Sequence, residues 1–417
     1  MDIGRKSRGA YNIQCMMEYF ASLLMEDAFL AKLLRHLGMS DALTGIVSSL
    51  VTVSFLAELV FFPLIRRVRS AKRTVILFDF ASMACFSLAY ALPLFNVSGG
   101  AGHALVILLI LGGYLSAACI RSLYFVWANS FVAPEKRARF SALKEMTSLL
   151  GGVLFSLGMG VLFDTLEQQG RTVPAFSVFA GMIMLVNLLS VLCLCAIGPG
   201  QERERAGDDT LLLMKRVVKN RPFMKVTLMA ALWYAARYFS CGFLGAYKTG
   251  ELMLSVATIE VINVVGCLSR FALSMPFGAY SDRTSYAKGF FLSMVLAAGA
   301  FAANLFTVRA TWWLTVIYSI LINVSFAGNN ANLLNISYSY VDQELLVPAM
   351  MLKSGVCGVA GILASLLGGL MLDSVQTAGN RFLGVSMTGF QAVSLVSFLL
   401  TAGVILFCRR IMKKQPE

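Results

Sequence analysis

Twelve long apolar runs follow one another along this chain, and no other feature constrains its folding so strongly. They lie near 11–34, 42–64, 75–95, 103–132, 144–166, 173–197, 223–247, 254–279, 287–307, 310–338, 349–372 and 384–408. A helix needs about 20 apolar residues to cross the hydrocarbon of a bilayer, and each run reaches that length. Inside a membrane every backbone N–H and C=O must be satisfied within the segment, so runs of this kind span as α-helices. Composition agrees. Of 417 residues, 58% are hydrophobic and 14% charged, against about a quarter charged in soluble domains. An ordinary soluble enzyme, a disordered chain and a secreted disulfide scaffold are excluded. The nine cysteines fall almost entirely inside the runs and read as reduced packing residues. With two histidines and no C-x-x-C, neither a metal nor a cofactor is expected.

The net charge of +13 has two readings, nucleic acid or basic loops on the inner side of a membrane. Placing the first residues inside puts about 26 Lys and Arg in the inside loops and about six outside. The asymmetry explains the charge without nucleic acid, and it predicts both termini inside. Arg121, Arg237 and Arg270 are left within spans.

The longest polar stretch, 198–222, contains Gln201-Glu-Arg-Glu-Arg-Ala-Gly-Asp-Asp209 and separates six runs from six. Residues 1–197 and 223–417 therefore read as two six-helix halves, with a short amphipathic helix expected near 211–220. The halves repeat. Ser130-Phe-Val-Ala-Pro-Glu-Lys-Arg-Ala-Arg-Phe-Ser-Ala-Leu-Lys144 aligns with Ser339-Tyr-Val-Asp-Gln-Glu-Leu-Leu-Val-Pro-Ala-Met-Met-Leu-Lys353, an offset of 339 − 130 = 209. The match continues through Gly152/Gly361, Ser156/Ser365, Gly160/Gly369 and Asp164/Asp373. The predicted fold class is all-α and integral to the membrane, twelve transmembrane helices in two pseudo-symmetric halves. Such duplication places a binding site at the repeat interface near mid-membrane.

Gly278-Ala-Tyr-Ser-Asp282-Arg283-Thr-Ser, after span 8, resembles the G-x-x-x-D-R-x-G loop of the major facilitator superfamily. The stretch Asn129-Ser-Phe-Val-Ala-Pro134-Glu-Lys-Arg137-Ala-Arg139 is similar to the family's P-x-x-x-R-x-R/G element. The first-half loop, Pro63 to Arg73, keeps its basic residues but lacks the aspartate. The resemblance covers essentially the whole chain. It implies a secondary transporter in which spans 1, 4, 7 and 10 line the pathway. It also implies a gate of Gly278, Asp282 and Arg283, with the aspartate capping span 5 near Lys144.

Charges within spans are costly and invite an explanation. At 1.5 Å per residue, Glu26, Arg121 and Arg237 come out at similar depth, near the middle. Arg121 and Arg237 are candidates to hold an anionic group, and Glu26, Asp27 and Glu18 to take and release protons. Asn330 is the repeat partner of Arg121 (121 + 209 = 330) and joins the substrate set with Tyr124, Trp233 and Tyr234. Glu58, Glu260 and Arg270 read as structural or gating. No Walker motif or nucleophile–base set is present, so neither ATP nor enzymatic chemistry is expected.

The expected activity is alternating-access transport of a small polar or anionic organic solute, coupled to protons, by a monomer. The expected location is the plasma or bacterial inner membrane, with lipid as its surroundings. Efflux of drugs or metabolites by the same fold, and a non-transporting membrane sensor, are the alternatives.

Overall fold

The computed structural model describes residues 3–65, 68, 70–95, 99–129, 131–132, 137–198, 210–342, 345–382 and 384–412. The first apolar run is not one helix. Ile3–Leu24 (α1) stops, and Asp27–His36 (α2) starts afresh. Ser22 bonds back to the Tyr19 carbonyl and Met25 N–H turns onto the Ser22 carbonyl. Glu26 is then extended and Asp27 has φ +45. Side-chain back-bonding competes with the helical ladder, and an aspartate is better placed in a first turn than in a helix interior. The expectation of a continuous span over 11–34 is corrected accordingly.

The second run also divides, into Asp41–Ser48 (α3) and Val51–Ile65 (α4). Ala71–Ala91 (α5), Gly99–Asn129 (α6), Arg137–Gln168 (α7) and Thr172–Ala196 (α8) complete the first six spans. Thr210–Lys219 (α9) forms where the amphipathic pattern put a helix. It buries Val217 and exposes Lys215, Arg216 and Lys219. The acidic run before it lies outside the described residues.

The seventh run divides into Arg221–Tyr238 (α10) and Leu244–Gly250 (α11), with a tight turn over Cys241–Phe243. Val256–Arg283 (α12), Tyr286–Leu305 (α13), Leu314–Tyr338 (α14), Leu346–Thr377 (α15) and Gly389–Met412 (α16) follow. A two-stranded antiparallel hairpin, Arg381–Phe382 with Val385–Ser386, joins α15 to α16. The repeat is visible in lengths, since α7 and α15 each run 32 residues.

Among the described residues, nine helical segments are long and apolar enough to cross a membrane. Of the twelve predicted spans, those missing from that set are α1–α2, α10–α11 and α14, which carry Glu18 and Glu26, Arg237, and the asparagines. Polarity is concentrated in the spans expected to line a pathway. Elsewhere the surface suits lipid: Leu150, Leu154, Met275 and Leu370 are all exposed in mid-helix.

The chain forms two compact units. Residues 1–39, 53–207 and 255–257 form the first, in which α5 packs on α6 and α8, and α1 on α7 and α8. Its interior stacks Phe29, Tyr90, Phe163, Phe176 and Phe179. Residues 40–52, 208–254 and 258–417 form the second, in which α10 packs on α15 and α16, and α13 on α14 and α16. Its core surrounds Trp233, Phe290 and Phe301. Within this unit the Cys241–Phe243 turn lies against α3. A Cβ on Gly242 would sit 2.4 Å from the Gly45 carbonyl oxygen, so only glycine permits the approach.

Candidate functional site

In the first unit the polar groups gather on α1, α4, α6 and α7. Arg121, in the last third of α6, is 41% exposed at its side chain and pairs with Glu58 of α4 at 3.8 Å. It also donates to the Ser54 hydroxyl at 3.4 Å and lies 5.5 Å from the centroid of the Phe55 ring. Glu58, read from sequence as packing or gating, is thus the ion-pair partner of the predicted substrate-binding arginine.

Glu18 of α1 is exposed, and Arg121 and Lys144 are the cations that act on it. Lys144 of α7 donates to the Tyr11 hydroxyl at 3.2 Å and stands 4.8 Å from that ring's centroid. Tyr124 of α6 donates to the Gln14 side-chain oxygen and meets the Cys15 sulfur at 3.3 Å. Glu18, Arg121, Tyr124 and Lys144, assigned to three roles from sequence, therefore border one polar patch. Glu26 and Asp27 stand at the α1–α2 break. Glu26 is exposed, and Asp27 holds a left-handed backbone that costs a non-glycine residue about 1–3 kcal/mol. Strain of this kind collects at switch and ligand sites.

Sequence reasoning missed what lies behind this patch. Asp79, eight residues into α5, is buried. Its Oδ2 accepts from the Ser190 hydroxyl of α8 at 2.8 Å, and the Gln14 amide nitrogen reaches its Oδ1 at 3.5 Å. The signal was present, a lone acid inside an apolar run, and went unread.

In the second unit Arg237 is held between rings, 4.4 Å from the centroid of Phe326 and 5.2 Å from that of Tyr238. Trp233 is 1% exposed and packs edge-on to Phe326. It belongs to the core and presents no face for stacking on a solute. Tyr234 is half-buried beside Tyr238. Asn330 is exposed in mid-α14, and among the described residues it has no hydrogen-bond partner. Lys353, the repeat partner of Lys144, donates to Ser337 at 3.0 Å. Gly278 lies near the end of α12, and a Cβ there would meet open space. Asp282 and Arg283 are exposed at that helix end, and Asp282 has no partner among the described residues. Arg66, Arg67, Arg69 and Pro134, which belong to the other loop elements of the resemblance, lie outside the described residues.

A further carboxylate occupies a helix terminus. Asp164, near the end of α7, accepts the Val256 N–H at 2.9 Å and the Ala257 N–H at 2.8 Å. Those donors open α12, and an anion there is favoured by the free N–H groups and the helix dipole.

Comparison with known proteins gives a family and a fold. The Major Facilitator Superfamily profile matches residues 13–345. No curated protein matches the sequence. Solved structures with the same fold include a point variant of the nucleoside transporter NupG, at 15% identity, TM-score 0.73, covering 98% of this chain and 99% of that one. The peptide transporter POT, as a point variant bound to sulfate, gives 15% identity, TM-score 0.71 and 99% coverage of both. A bacterial homologue of the human lysosomal transporter Spinster gives 13% identity and TM-score 0.66, covering 100% and 98%.

Proposed function

Since the chain belongs to the Major Facilitator Superfamily, it is a multi-pass membrane transporter and not an enzyme, and we propose that it moves a small polar or anionic organic solute by alternating access, driven by protons. The observation that carries the reading is Arg121. A guanidinium that is 41% accessible within a long apolar helix faces water, since lipid would make it costly. At 3.8 Å its pairing with Glu58 is looser than a charge-assisted hydrogen bond of about 2.8 Å. Arginine offers five N–H donors in a planar fork. Ser54 occupies one of them at long range, which leaves a bidentate face for a carboxylate or phosphate. Glu58 keeps the cation company between cargoes.

In this reading Glu18, Glu26 and Asp27 carry the proton, and Arg237, Asn330, Tyr124 and Tyr234 supply the remaining contacts to the cargo. Trp233 supports Phe326 beneath Arg237 and does not touch the solute. The strained Asp27 is a pivot at which α1 and α2 change their relative direction. Gly278, Asp282, Arg283 and Lys144 form the gate of the inner side. The Lys/Arg asymmetry supports both termini inside a plasma or bacterial inner membrane. The fold's solved members include a nucleoside and a peptide transporter, and both cargoes are polar.

The test is reconstitution in liposomes with a trapped pH dye, challenged with pools of nucleosides, organic acids, peptides and polyols. A pH pulse with one pool, lost in Glu18→Gln or Glu26→Gln while solute exchange persists, supports the reading. Solute counterflow without any pulse, unchanged in both variants, refutes the proton coupling.

A further inference from the structure

Asp79 lies about 12 Å along α5 from its start and is only 6% exposed. A carboxylate buried within a span requires compensation by a cation, by hydrogen bonds or by a proton. Among the described residues it has no cation. Its contacts are the neutral Ser190 hydroxyl and the neutral Gln14 amide. The titratable groups facing it make matters worse. From α1 comes a second acid, Glu18. Tyr124 of α6 stands one hydrogen bond away, beyond Gln14, and Cys15 of α1 one further, on the Tyr124 hydroxyl. From α8 only Ser190 reaches it. The cations, Arg121 and Lys144, act on Glu18 at the accessible edge of the patch.

Gln14 is the junction, and it is 1% exposed. Its oxygen accepts a hydrogen bond from the Tyr124 hydroxyl, while its nitrogen shares two hydrogens among Ser190 at 3.2 Å, Asp79 at 3.5 Å and Glu18. A primary amide accepts at one end and donates at the other, so turning it over exchanges the two without moving a helix. The 3.5 Å contact is at the outer limit of a hydrogen bond. It is also the contact that protonation changes. With Asp79 ionised, the NH2 end must face it. With a proton on Oδ1, Asp79 becomes a donor and calls for the oxygen end. The NH2 group then turns toward Tyr124, and Glu18 loses the hydrogen bond that nitrogen gave it.

We propose that Asp79 is a proton-binding site of this transporter and that Gln14 relays its protonation to Glu18 and Tyr124. The inference rests on the proton-coupled reading above and places a proton one layer behind the accessible acids. The step is simple: one O–H bond forms on Asp79 Oδ1 and one breaks on its donor, hydronium or the Glu18 carboxylic acid. The amide then reorients, and the change appears at the patch where Arg121 and Glu18 meet the cargo.

Infrared difference spectroscopy of the full chain in lipid bilayers, stepped across pH, tests this without any cargo. The expected result is a titrating carbonyl band of a protonated carboxylic acid. It should vanish in Asp79→Asn, persist in Glu18→Gln, and move to higher frequency in Gln14→Leu, which removes the acceptor of the acid O–H. Asparagine keeps the shape and the Ser190 bond. Should that variant fail to fold, Ser190→Ala provides a second handle, because it must shift the same band. A band surviving in Asp79→Asn, or unmoved in both Gln14→Leu and Ser190→Ala, would overturn the proposal. Because no transport is measured, its failure is separate from failure of the liposome pulse, which would refute the coupling while leaving the band in place.

Discussion

Replacing Asp164 should loosen the first turn of α12 by an amount that the geometry sets. Both carboxylate oxygens are engaged, at 2.9 Å to Val256 N and 2.8 Å to Ala257 N, and the residue is buried. A hydrogen bond to a charged group contributes about 1.5–3 kcal/mol net. The two bonds share one carboxylate and water can replace them in part, so Asp164→Ala should cost about 2–3 kcal/mol rather than the sum. Each 1.4 kcal/mol is tenfold, so these two amides should exchange with deuterium roughly 30- to 140-fold faster. Asp164→Asn keeps one accepting oxygen and loses the charge–dipole interaction, worth about 0.3–1 kcal/mol at a surface and up to ~2 when partly buried. It should fall between, at roughly five- to tenfold.

The control is the repeat partner. Asp373 is exposed, and the first turn of α3 is capped by its own Ser40, whose hydroxyl accepts the Leu43 N–H at 3.2 Å. Asp373→Ala should therefore leave exchange in α3 unchanged. Residue-resolved hydrogen exchange in bilayers decides the matter. Protection at Val256 and Ala257 that stays within twofold of the parent in Asp164→Ala would refute the reasoning, because the carboxylate would then be holding nothing.

Glu58→Gln removes the anion that pairs with Arg121 at 3.8 Å, and should tighten binding of an anionic cargo by about three- to tenfold; the gain, read by equilibrium binding, must disappear in the Arg121→Gln background. Trp233→Ala empties a fully buried site and should cost about 3–5 kcal/mol, seen as a large drop in melting temperature in detergent, whereas a ligand-stacking role would leave melting intact and weaken binding alone. Gly242→Ala forces a Cβ to within 2.4 Å of the Gly45 carbonyl oxygen, and should cost about 1–3 kcal/mol by overpacking, read by the same melt. Lys32 grips both oxygens of Glu167 at 2.8 Å, but the pair is part-exposed; Lys32→Ala should cost under about 1 kcal/mol and be undetectable in high salt.

What the sequence made legible follows from the solvent. A bilayer fixes helix length and forbids unsatisfied backbone, so twelve apolar runs yield twelve spans with little freedom. The 209-residue offset works because α7 and α15 have to fill the same space. Breaks inside a span are harder to see. Within run 11–34 the adjacent acids Glu26-Asp27 interrupt the apolar pattern, and they alone mark where the helix restarts at Asp27. Trp233 joins the substrate set as an aromatic on a pathway span, whereas its 1% exposure places it in the core. Asp79 escaped because attention followed the spans that resemblance assigns to the pathway, while α5 flanks it with Phe78 and Phe80.

The halves share architecture without sharing chemistry, and the difference lies where α1, α5 and α8 pack together. That trio encloses Gln14, Asp79 and Ser190, with Glu18 at its edge. In the second unit the corresponding trio of α10, α13 and α16 contains no aspartate or glutamate at all. Its polar interior is Ser397 bonded to Ser240, and Asn304 to Ser394, neutral pairs that hold helices together and cannot take up charge. The repeat positions diverge in the same sense, with Arg121 matched by Asn330. A duplicated fold in which only the first half carries acids in this packed trio admits a division of tasks. In the proposed reading the first half couples the proton to the cargo, and the second offers Arg237 on its aromatic bed and Asn330, which has no hydrogen-bond partner among the described residues, as fixed recognition groups. Substitutions at Asn330 and Arg237 should accordingly change which solute is carried while leaving the proton dependence of transport untouched, whereas those at Glu18, Gln14 and Asp79 should do the reverse.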